Sequence, residues 1–70
     1  MSSQYIAKTQ AVLEIMQRTG YGRFVIERKM NEMVGAGLIR FVDDPADIRK
    51  KLISRQDVEG VIQALTTYGE

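Results

Sequence analysis

Three side chains rich in hydrogen-bond donors, Arg23, Arg28 and Asn31, stand close together in the middle of the chain. The fork of Arg N–H groups matches phosphate or the O6 and N7 acceptors of guanine, and Asn can pair with the edge of adenine. Tyr21 and the backbone N–H of Gly22 stand just ahead of them. A second donor run, Arg49-Lys50-Lys51, follows an acidic turn containing Asp43, Asp44 and Asp47. Three carboxylates in a row of turn residues can hold a hard cation, but around a proline they make an ordinary solvated turn, and no metal site is expected. With no His and no Cys, the usual general bases and thiol nucleophiles are missing. No enzyme activity, cofactor or small-molecule ligand is expected. The glycines at 35 and 37 end a helical segment where a phosphate loop would begin one. The chemistry left is recognition of acidic or hydrogen-bonding surfaces.

The elements that must carry these donors follow from hydrophobic period and punctuation. From Gln4 to about Arg18, Tyr5, Ile6, Val12, Leu13, Ile15 and Met16 follow a 3.6 period, which predicts a helix. Thr19-Gly20-Tyr21-Gly22 stops it, since two glycines permit a helix end and a tight turn. Arg23 to about Val34 is the second helix. Its inward stripe is Ile26, Met30 and Met33, with Phe24 and Val34 at the flanks. Leu38 to Val42 is β-prone, Asp43 to Asp47 is turn chemistry, and Ile48 to Ile53 is the returning strand. Ser54 with Asp57 three residues on resembles a capping box. It opens a last helix, about Arg55 to Thr67, with Val58, Val61, Ile62 and Leu65 on one face.

Seventy residues predict one domain spanning 1–70 with a small core. Without Cys there is no disulfide to brace it, so association with a second copy is the expected remedy. The homodimer seam falls either on the first helix (Tyr5, Val12, Met16) or on the last (Val61, Leu65, Tyr68). The charged fraction of 27% is that of a folded soluble protein. No apolar run reaches the roughly 18 residues of a membrane span, and no signal peptide opens the chain; a cytoplasmic protein without membrane contact is expected. Net charge is only +1, so a nucleic-acid surface would have to come from the distribution of charge and not its sum.

The stretch G-L-I-R-F-V-D-D-P-A-D-I-R-K-K-L-I-S, Gly37 to Ser54, resembles the wing of the MarR family of winged-helix transcription regulators. Gly37, Leu38, Ile39, Pro45, Asp47, Arg49, Leu52 and Ser54 stand at matching positions. Ile15, Gly20, Ile26, Arg28 and Met33 continue the likeness backwards. The resemblance implies that Arg49 reaches a minor groove with Asp47 holding it; the adjacent Lys50 and Lys51 are expected, from their charge and position, to contact phosphates. The chain departs from that family in lacking its long dimerisation helices and the first helix of its core, and Ile48 replaces the first Arg of the wing tip. The element order is also similar to the small excisionase-type winged helices, in which I-S-R-x-D-V, as at Ile53 to Val58, opens the last helix.

The expectation is thus an α+β winged helix-turn-helix of order α-α-β-β-α. It would bind double-stranded DNA sequence-specifically, as a small transcription regulator or a recombination-directionality factor. The helix 23–34 would lie in the major groove and the wing 38–53 in the minor groove. The alternative is a winged-helix module or inhibitor that contacts only proteins, through its acidic turn or its last helix.

Overall fold

The computed structural model describes residues 4–68. Its order is β1 (Tyr5–Ala7), α1 (Lys8–Thr19), α2 (Arg23–Gly35), β2 (Phe41–Asp44), β3 (Asp47–Ser54) and α3 (Arg55–Tyr68). Three helices thus pack with a three-stranded antiparallel sheet of order β1-β3-β2. The expected order α-α-β-β-α lacked the first of these strands. Tyr5, Ile6 and Ala7, read as the opening turn of a helix, instead lie extended opposite Ser54, Ile53 and Leu52. The Arg55 N–H donates to the Gln4 carbonyl (2.8 Å), extending the ladder. Tyr and Ile suit a strand as well as a helix, and the free edge of β3 supplies partners that no neighbour in sequence could.

β3 is therefore the centre of the sheet, and Ile53 is its buried pivot. It lies between Ile6 and Phe41 in register, and its side chain is fully buried. The core around it takes Ala11, Val12 and Ile15 from α1, Ile26, Met30 and Met33 from α2, and Ile39 from the connection. Val58, Val61, Ile62 and Leu65 complete it from α3. Each aliphatic side chain fully buried in this way stabilises the fold by about 1.5–3 kcal/mol. The inward stripes of the second and third helices are those the period predicts. Val12 on one proposed dimer seam and Val61 and Leu65 on the other belong to this core, Met16 packs against it, and Tyr5 stays partly exposed. The Tyr68 side chain lies outside the described residues. Leu13 departs from the expected stripe and is 54% exposed.

Helix ends follow their residues. Gly20 takes φ 83° and donates its N–H to the Met16 carbonyl (2.8 Å), closing α1. α2 ends at Gly35 and its cap is closed by Gly37 (φ 76°), with Gly37 N–H on the Val34 carbonyl (3.0 Å) and Leu38 N–H on the Met33 carbonyl (2.9 Å). That pair of bonds is a Schellman motif, which needs a left-handed residue at its glycine. At the start of α3 the Asp57 N–H donates to Ser54 Oγ (3.0 Å), as a capping serine should. The Asp57 carboxylate does not return to Ser54; it accepts from the Arg40 N–H (3.3 Å) and pins the connection between α2 and β2.

Candidate nucleic-acid interface

α2 turns Ile26, Met30 and Met33 inward. At 100° per residue, Phe24, Arg28 and Asn31 then project within about 50° of the opposite direction. All three are exposed, Phe24 at 83%. Arg28 and Asn31 make no side-chain hydrogen bond or ion pair among the described residues, so their donors are available to a ligand. Arg23 sits off this line toward α1, where its Nε donates to Glu27 Oε2 (3.1 Å). Gly22 is the N-cap of α2 in an extended conformation, and its carbonyl accepts from the Ile26 N–H (3.2 Å).

The hairpin carries the second set. Asp44 and Asp47 face each other across Pro45-Ala46, and the register then slips, so that Asp43 is opposite Lys51. Ile48, Arg49 and Lys50 occupy the slipped stretch and stand exposed, Ile48 at 78%. The acids of the turn serve the hairpin itself. Asp44 Oδ1 accepts from the Ala46 N–H (2.8 Å), and Asp47 Oδ1 accepts from the Arg49 N–H (3.0 Å) and, at 3.4 Å, from its Nε. Asp43 pairs with Lys51 Nζ. Asp47 thus meets both the backbone N–H and the side chain of Arg49, while Lys50 has no side-chain partner among the described residues.

Two clefts meet at the start of α1. One is lined by Ala7, Lys8, Thr9, Arg49, Lys50 and Lys51. The other is lined by Lys8, Thr9, Val12, Leu13, Met16, Arg23 and Glu27. Lys8 and Thr9 belong to both, so the wing bases gather at the start of α1, while the second cleft runs from there along Val12, Leu13 and Met16 to Arg23 and Glu27 of α2. That end has no acidic residue in its first turn and no side-chain cap on its N–H groups. Its free N–H groups and partial positive charge suit an anion. Lys8 Nζ also lies 4.8 Å from the centroid of the Phe41 ring, which fixes it over the sheet.

The structure divides the residues expected to act together. Arg49, Lys50 and Lys51 lie at the start of α1, and Arg23 lines the cleft that runs on along α1. Arg28 lines a separate groove with Tyr21, Val25, Lys29, Glu32 and Leu65. Tyr21 turns to α3, its hydroxyl donating to the Leu65 carbonyl (3.4 Å) while its N–H donates to Thr19 Oγ1 (3.2 Å); it braces the inter-helix turn. Lys8 and Thr9 were not foreseen as site residues, because their proximity to the wing depends on β1 pairing with β3. Phe24 was expected at the edge of the core and lies outside it.

Away from this surface, Arg18 at the end of α1 grips Glu59 of α3 through both guanidinium nitrogens (2.5 and 3.2 Å). The hydrogen bond from Arg18 holds the Glu59 carboxyl below its ordinary pKa, and the same bond raises that of Arg18. Compared with known proteins, the chain matches no family model, no curated sequence and no solved structure.

Proposed function

We propose that this chain is a winged-helix domain that binds double-stranded DNA sequence-specifically, as a small transcription regulator or a recombination-directionality factor. In this reading α1 and α2 form the helix-turn-helix, and α3 packs against both. α2 enters the major groove with Arg28 and Asn31 toward base edges, and the β2–β3 hairpin lies over the adjacent minor groove with Arg49. The observation that carries the reading is the convergence of Lys8, Thr9, Arg49, Lys50 and Lys51 at the start of α1, with Arg23 on the adjoining cleft. A helix end ringed by cations matches the chemistry of a phosphate backbone, and donors on the neighbouring helix match bases.

The charge count sets the strength. Arg23, Arg49 and Lys51 each share their charge with an internal carboxylate, which leaves Lys8 and Lys50 as the fullest charges around the start of α1. Few phosphates are therefore neutralised per chain, and a dimer, doubling the contacts, is the form in which such a domain would hold a site firmly. A mobility-shift assay with random genomic fragments at low salt tests the reading. Retarded complexes at micromolar protein support it. Their complete absence would transfer the reading to a module that contacts only proteins.

A further inference from the structure

Phe24 is a large apolar side chain left 83% exposed on the outward face of α2. Among the described residues the core is closed by Ile26, Met30 and Met33 on the other side of the helix, and Phe24 is no part of it. A helix that docks on a protein groove needs apolar residues at i, i+3, i+4 and i+7. From Phe24 those positions are Glu27, Arg28 and Asn31, all polar; its exposed apolar neighbours Tyr21 and Val25 line the groove beside Leu65, so Phe24 is the apolar residue that heads the row of donors. In a major groove a lone aromatic beside base-reading donors has one chemical counterpart, the 5-methyl group of thymine.

We infer that Phe24 is a specificity residue that reads a thymine methyl in the major groove, in a fixed order with Arg28 and Asn31. The inference rests on the DNA-binding reading above and adds to it a base and a spacing. Four residues of helix rise about 6 Å and three more about 4.5 Å, against about 3.4 Å per base pair. The thymine therefore falls about two base pairs from the guanine read by Arg28, and the adenine read by Asn31 falls about one base pair beyond. Glu27, held by Arg23 at 3.1 Å, is kept from the same bases.

The test uses the full chain and a library of random-sequence duplexes, from which bound sites are selected. Each thymine of the selected site is then replaced singly by deoxyuridine, which removes the methyl group and nothing else. One replacement should weaken binding about fourfold, the value of one buried methyl, at a thymine two base pairs from an essential guanine. Phe24→Ala should bind the thymine and deoxyuridine duplexes equally while melting at the wild-type temperature, because its side chain is outside the core. Equal affinity of wild type for every deoxyuridine duplex overturns the inference and leaves DNA binding intact. So does a Phe24→Ala protein that still prefers thymine at that position. Failure to recover any duplex removes the inference together with the reading beneath it.

Discussion

Replacing Ile53 by Val removes a single methylene from the place where β1, β3 and the helices meet. Ile53 is fully buried and flanked in register by Ile6 and Phe41. Such a deletion costs about 0.5–1.5 kcal/mol through lost transfer energy and the small void left behind. At about 2.1 cal/mol/K per residue, a chain of 70 residues unfolds with an entropy of about 0.15 kcal/mol/K. The substitution should therefore lower the melting temperature by about 3–10 °C. Ile48, on the same strand but 78% exposed, is the control: Ile48→Val should change stability by less than about 0.5 kcal/mol. Thermal denaturation followed by far-ultraviolet circular dichroism measures both. If Ile48→Val costs as much as Ile53→Val, the register of β3 against its two neighbours is wrong. The account of the core would fail with it.

Two glycines should respond in opposite directions. Gly60 lies within α3 with open space where a Cβ would stand, so Gly60→Ala should stabilise by about 0.5–1 kcal/mol. Gly37→Ala should destabilise by about 1–2 kcal/mol although its Cβ also meets nothing, because its φ of 76° is strained for any L side chain; chemical denaturation of both variants checks the signs. The Arg18–Glu59 clamp makes stability pH-dependent. A carboxyl whose folded pKa lies below its unfolded value of about 4.3 contributes fully above that value and loses the contribution as pH falls through the folded one. Glu59→Gln should thus melt below wild type at pH 7, and the gap should close on acidification below about pH 4; a gap that persists in acid would assign it to packing.

The elements that announce themselves locally were the legible ones. The stripe Ile26, Met30, Met33 carries the period of α2, Gly37 carries its stop, and Ser54 carries the start of α3. β1 could not be read in this way. Tyr5 and Ile6 fit the helical period of the segment that follows, and their partners Ser54 and Ile53 are far along the chain, so only the folded sheet distinguishes strand from helix. The same distance hid Lys8 and Thr9, which reach the wing because Ala7 pairs with Leu52. Phe24 was misread because hydrophobicity at a helix start says nothing about direction; its angle from Ile26 does. The slip between Asp43 and Asp44, which exposes Ile48, Arg49 and Lys50 together, follows from local hydrogen bonds of Asp44 and Asp47 that alternation of residue types does not encode. No helix of the described residues is long and apolar enough to cross a membrane.

The central claim is that the start of α1 and the wing form one phosphate-contacting surface, and its most direct measurement is the salt dependence of duplex binding by fluorescence anisotropy. With about three phosphates met by Lys8, Arg49 and Lys50, the logarithm of affinity should fall against the logarithm of salt with a slope of about −2.7 per chain. Lys50→Ala should reduce that slope by about one, and Arg49→Ala should cost about 1–3 kcal/mol, while Arg18→Gln, at the opposite end of α1, leaves the slope unchanged. A slope indifferent to Lys50 and Arg49, or equally sensitive to Arg18, would contradict the account.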